Sequence, residues 1–150
     1  MTDLDQISSK ILRILSREGR ISNSELADRV GLSASACLRR VQELERTGVI
    51  RGYRAILDAE KTGRSFAVYV AVGLSTHTKA AQAAFDLAMR AAPEVAECHN
   101  IAGAFEYLLR VETRDLNTYK RFHTDVLGTF PHLGSITSYI VMDSPKDLRA

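Results

Sequence analysis

The chain has 150 residues, 45% hydrophobic and 25% charged, enough for one ordinary domain or two very small ones. Twenty Lys and Arg against 18 Asp and Glu leave a net charge of +2, which argues against a polybasic tail, a histone-like chain or an acidic disordered activator. No apolar run approaches the roughly 18 residues of a bilayer span. The opening MTDLDQISSK carries acids where a secretory leader carries lysines, so a cytoplasmic protein is expected.

Three helical patterns open the chain. Leu4, Ile7, Ile11, Ile14 and Leu15 recur at helical spacing, predicting an amphipathic helix from Asp5 to Arg17 that Gly19 caps. Ser22-Asn23-Ser24-Glu25 has the spacing of a capping box and starts a short helix through Val30. Gly31 breaks that helix, and Ser33 caps a third one running to Thr47. Helix, tight turn and helix are the sequence form of a helix-turn-helix. Val49-Ile50 and Tyr53–Ile56 are extended pieces around Arg51-Gly52, suited to a small ribbon or wing. Residues 58–65 are polar and read as a hinge. The expected division is a DNA-binding domain over 1–58, a linker over 59–65 and a second domain over 66–150.

From Phe66 the period switches to two. Phe66, Val68, Val70, Val72 and Leu74 alternate with Ala67, Tyr69, Ala71 and Gly73, predicting a strand apolar on both faces. A helix over 78–91 follows, then strands at Val95–Ile101 and Phe105–Glu112. Asp115 caps a second helix bearing Leu116, Tyr119, Phe122 and Val126, and Ile136–Met142 reads as the last strand. The order β-α-β-β-α-β is the ferredoxin-like plan, so the fold class is α+β. Two helices on one side leave the other sheet face uncovered, and a dimer through that face is expected.

The third helix carries the strongest chemical signal. Leu38, Val41 and Leu44 are read as its buried edge, with Ser35, Ala36, Arg39, Arg40 and Glu43 falling away from it. Small residues in the first turn let a helix sink into a major groove about 12 Å wide, and arginines beyond reach bases or phosphates. Between Ser33 and Arg54 five arginines face two glutamates, a local +3 that the remaining residues offset to reach +2. The plainer alternative is a solvated helix with internal Glu–Arg pairs. The candidate DNA-binding set is Ser22, Ser33, Ser35, Ala36, Arg39, Arg40, Glu43, Arg46 and Arg51.

Residues 21–27, 30–33 and 37–53 closely resemble the Lrp/AsnC family, the leucine-responsive or feast/famine transcription regulators of bacteria and archaea. The resemblance continues through Glu97-Cys98-His99, Gly103 to Leu109 and Tyr139 to Met142, and covers about residues 3–144. It implies a winged helix-turn-helix joined to a ferredoxin-like ligand-sensing domain, the type named for regulation of amino-acid metabolism. It also implies double-stranded DNA as partner, homodimers assembling to octamers at the nucleoid, and an amino-acid effector held where dimers meet.

Carried over by position, Ala102, Gly103, Ala104, Phe105, Glu106, Thr137 and Ser138 would line the effector cleft, with His99 as a further candidate. Glu106 suits an α-ammonium, while hydroxyls and backbone N–H groups suit a carboxylate. Without a ligand, Glu106 would pair with Arg110 or Arg121. The family loop reads Gly-Asp-aromatic-Asp; here Ala104 replaces the first acid and Glu106 lengthens the second by one methylene.

Enzyme readings lack material. His77, His99, His123 and His132 show no metal-binding spacing, and no P-loop, dinucleotide fingerprint or nucleophile elbow is present, so neither metal, cofactor nor catalytic residue is expected. Cys37 and Cys98 read as reduced core thiols. Two rivals remain: an architectural DNA-bending protein of the same family without an effector, and an enzyme built on the ferredoxin-like half.

Overall fold

Short polar side chains set where each α-helix begins. Asp5, Ser22, Ser33, Thr78 and Asp115 accept the backbone N–H three residues on, starting α1 (Gln6–Leu15), α2 (Asn23–Val30), α3 (Ala34–Arg46), α4 (Lys79–Ala91) and α5 (Leu116–Phe122). The structure, a computed structural model, describes residues 4–147. It divides into two units, Met1–Ala55 and Ile56–Ala150.

In the helical unit, Ile11, Leu26, Ala27, Val30, Cys37 and Leu44 form the core. Gly31 sits at φ 74° between α2 and α3, a left-handed conformation only glycine adopts cheaply. That turn sends the Leu32 N–H back to the Ala27 carbonyl at 3.0 Å, and the Asn23 amide ties α2 to the Ala34 carbonyl at 2.8 Å. The capping box is half formed. Ser22 Oγ accepts the Glu25 N–H, but the Glu25 carboxylate turns to Arg29.

Three expectations for this unit change. Gly19 does not cap α1, because the Arg17 and Glu18 N–H groups already close on the Ile14 carbonyl. Residues 49–58 form no strand. Val49 and Ile50 instead pack on the helical core, the Ile50 N–H donating to Leu44, while residues 51–60 are exposed. An isolated two-stranded ribbon with nothing to bury is marginal, which accounts for its absence. Leu38 is 45% exposed, not buried. At about 3.6 residues per turn, three-residue steps drift around the helix, and the inward ridge is Cys37–Val41–Leu44.

The second unit has one antiparallel sheet of order β2-β3-β1-β4, made of β1 (Phe66–Leu74), β2 (Val95–Asn100), β3 (Tyr107–Thr113) and β4 (Leu133–Ile140). A single π-turn, His123–Leu127, extends α5. Val68, Val70, Val72, Leu109 and Val111 have no exposed surface and meet Phe85 and Met89 of α4 and Tyr119 and Phe122 of α5. Phe85 holds this core together, 4.5 Å from the Tyr107 ring and edge-on to Phe130 at 5.2 Å.

Strands β3 and β4 start a few residues from where the sequence places them. The Ile101 N–H closes on the Glu106 carbonyl at 2.9 Å, so residues 101–106 are a loop and β3 starts at Tyr107. The β4 strand begins at Leu133 because a bulge at Gly73/Leu74 lets it pair past Gly73. A Cβ on Gly73 would lie 2.5 Å from Ser135 Oγ, so a side chain there would require the Ser135 hydroxyl to turn away. Cys37 is buried, whereas Cys98 is half-buried.

Phe85→Ala removes the ring on which the Tyr107 and Phe130 rings converge. It is expected to destabilise the protein by about 3–5 kcal/mol, read as a lower denaturation midpoint.

Candidate nucleic-acid interface and effector recess

The inward ridge of α3 leaves Ser35, Leu38, Arg39 and Gln42 together on its outer side, all exposed. Ser33 Oγ caps the helix through the Ala36 N–H and lies 3.3 Å from Ser35 Oγ, while Ser22 caps α2. Ala36 is half-buried. The structure separates the arginines that the sequence groups together. Arg40 turns inward, its Nη1 2.5 Å from Asp5 Oδ2 and 3.2 Å from Ser8 Oγ, bracing α3 against the start of α1. Arg46 grips Glu43 with two hydrogen bonds at 2.8 and 2.6 Å, which holds the Glu43 carboxyl below its usual range. Among the described residues, Arg39 and Arg51 have no ion-pair partner.

Asp5 is therefore a hinge of the arrangement. It caps α1 through the Ser8 N–H at 2.7 Å and receives Arg40, and these two contacts hold its carboxyl down at about 2. Leu38 and Gln42 escaped the sequence reading. The missed signal was the i, i+4, i+7 spacing of Cys37, Val41 and Leu44, which places both residues outward.

On the sheet, α4 and α5 cover one face. The other bears Ala67, Tyr69, Ala71 and Gly73 of β1, flanked in register by Arg110 and Glu112 of β3 and by Thr137 and Tyr139 of β4. Arg110 binds Glu112 at 2.7 Å and the Tyr69 hydroxyl at 3.1 Å. Ala71 and Gly73 are buried by these neighbouring side chains, without a helix above them.

The loop candidates gather at one end of this face. Ala102, Gly103 and Ala104 are exposed, and Phe105 and Glu106 half-buried. The Glu106 carboxylate lies beside Gly73, where Oε2 accepts the Leu74 N–H at 2.8 Å and Oε1 meets His77 Nδ1 at 3.1 Å. Its partners are thus neither Arg110 nor Arg121. The Leu74 N–H lies beyond the last β1–β3 pair, Val72 with Tyr107, and nothing in the sequence spacing pointed to His77 or Ser135 as neighbours of Glu106. Thr137 shares this face, but Ser138 is on the opposite one, its Oγ 2.5 Å from the Tyr119 hydroxyl. His99 is exposed on β2, 3.3 Å from Glu97. A separate cavity of about 390 Å³ lies between α4 and β2, lined by Asp86, Arg90, Cys98, Asn100 and Tyr107 among others. Burial and the Asp86 carboxylate push the Tyr107 hydroxyl up to about 12. No group of three or more metal-ligating side chains occurs among the described residues, and no helix there is long and apolar enough to cross a membrane.

Comparison with known proteins matches residues 4–51 to a winged helix-turn-helix DNA-binding family and residues 67–150 to the Lrp/AsnC ligand binding domain. The proline dehydrogenase transcriptional activator of Rhizobium radiobacter is 40% identical over 145 residues, spanning 97% of this chain and 93% of its own. The leucine-responsive regulatory protein of Escherichia coli K12 is 38% identical over 144 residues, 96% of this chain and 88% of its own. A Neisseria meningitidis transcriptional regulator solved with L-Met superposes with a TM-score of 0.92 at 34% identity, covering 96% of this chain and 93% of that one.

Asp5 predicts an acid limb in stability. Its ordinary value is 3.8 and its folded value about 2, so its contribution is complete above about pH 4 and lost as pH falls through 2. Asp5→Asn keeps a competent helix cap but loses the Arg40 pair. Thermal midpoints followed from pH 6 to 2 should therefore fall less steeply between 4 and 2 in Asp5→Asn than in the wild type.

Proposed function

This chain belongs to the Lrp/AsnC family of transcription regulators, and we propose that it is a sequence-specific, amino-acid-responsive regulator of amino-acid metabolism genes. The observation that carries the reading is Arg39, exposed and without an ion-pair partner on the outer side of a capped helix-turn-helix. Arg39 reads a base or a phosphate, with Ser35 on the same stripe. Ser22 and Ser33 offer hydroxyls at the two helix starts, and Arg51 supports from the exposed segment beyond α3. Arg40 acts through the Asp5 clasp by holding α3 in place, and Glu43 and Arg46 act as a pair.

The effector reading rests on the Glu106 recess beside Gly73, with Thr137 on the same face. An α-ammonium there takes the place of the His77 imidazole on Glu106 Oε1. The relatives named for proline dehydrogenase activation, for leucine response and for an L-Met complex support an amino acid as ligand class. The uncovered sheet face supports a homodimer, which assembles further to an octamer with the recess near the junction of dimers. Such a protein works on chromosomal DNA in the cytoplasm, at the nucleoid. Effector binding favours one assembly and so changes the spacing of the α3 helices; by linkage, DNA changes effector affinity by the same factor.

Two experiments test this. A duplex selected from a random pool should stay bound under excess bulk DNA, which an architectural DNA-bending protein would not achieve. On that duplex Arg39→Ala is expected to cost about 1–3 kcal/mol at one position if it reads a base. If it binds phosphate, the loss is uniform and the salt slope drops by about one. A thermal-shift screen of the standard amino acids should find one that adds about 2.7 kcal/mol at 100 times its dissociation constant. Glu106→Gln should shrink that shift; an undiminished shift moves the effector to the cavity between α4 and β2.

A further inference from the structure

Leu38 is 45% exposed in the first half of α3, with Ser35, Arg39 and Gln42 as its neighbours on the same stripe. The core offers it no place. Cys37, Val41 and Leu44 fill the inward side, and Leu38 is not among the apolar residues packed there. Ser35 to Gln42 covers about 10 Å of helix, which matches roughly three base pairs of duplex. Major-groove base edges are rows of donors and acceptors, to which thymine alone adds an apolar 5-methyl group.

We propose that Leu38 is a base-reading residue whose side chain packs on the 5-methyl of a thymine, between the bases reached by Arg39 and Gln42. One methyl is the complement of one isolated leucine set among polar groups. A protein partner fits less well, since a stable interface buries about 800 Å² on each side and this stripe offers a single apolar side chain. Gln42 is suited to the adenine of the same or the next pair, which it can bind through N6 and N7. The inference rests on the reading of the chain as a sequence-specific duplex binder.

The test uses the full chain and the duplex it selects from a random pool. Each thymine is replaced in turn by deoxyuridine, which differs only in lacking the methyl. At one position per half-site the wild type should lose about fourfold in affinity, the value of burying one such group. Leu38→Ala should bind the thymine and uracil duplexes alike while keeping the wild-type salt slope, because no phosphate contact is removed. As the position is exposed, an unchanged thermal midpoint checks that the variant folds. If no replacement weakens the wild type, or if Leu38→Ala keeps the full penalty, Leu38 does not read the methyl. If no duplex is enriched at all, sequence-specific binding itself fails and the inference falls with it.

Discussion

The sheet unit is organised by a single constraint, the two-residue alternation of β1 between β3 and β4. Val68, Val70, Val72 and Leu74 lie on the side of α4 and α5 and are sealed there, which assigns Ala67, Tyr69, Ala71 and Gly73 to the opposite side. Because register passes from strand to strand, the same alternation sorts β3 and β4. It sends Thr137 to the open face and Ser138 to the core side, although they are adjacent in sequence. A one-residue slip would exchange the two faces and expose the valines, so the apolar row locks the polar one.

The helical unit obeys the corresponding rule with a longer period. Cys37, Val41 and Leu44 turn one side of α3 inward, and everything the helix can offer a partner is what remains. Charge is then redistributed by tertiary contacts. Arg40 is drawn to Asp5 across 35 positions of sequence, and Arg46 to Glu43 within the helix. What looked like a continuous basic face becomes a clasp, a closed pair and the outward-facing Arg39.

The two recesses of the sheet unit differ in chemistry. Glu106 sits where a bulge and a glycine open space on the uncovered face, and its two oxygens are already engaged by Leu74 and His77. A ligand there competes with internal partners, which makes occupancy a choice between two hydrogen-bonding arrangements rather than the filling of a bare charge. The cavity between α4 and β2 carries both signs of charge around a buried tyrosine hydroxyl.

Much of this was legible in the residues alone. The five helices and four strands, their order and the sides of β1 follow from apolar periodicity and from capping residues, because these are local properties of the chain. The Gly31 turn follows for the same reason. Leu38 was misplaced because three-residue spacing approximates a helical turn too coarsely over two turns. The ribbon after α3 was misread because alternating residues do not make a strand without a surface to bury. Only the tertiary structure could bring Asp5 to Arg40, Ser138 to Tyr119, and His77 and Gly73 to Glu106. Those contacts join residues far apart in sequence, and chain register and packing, not local pattern, decide them.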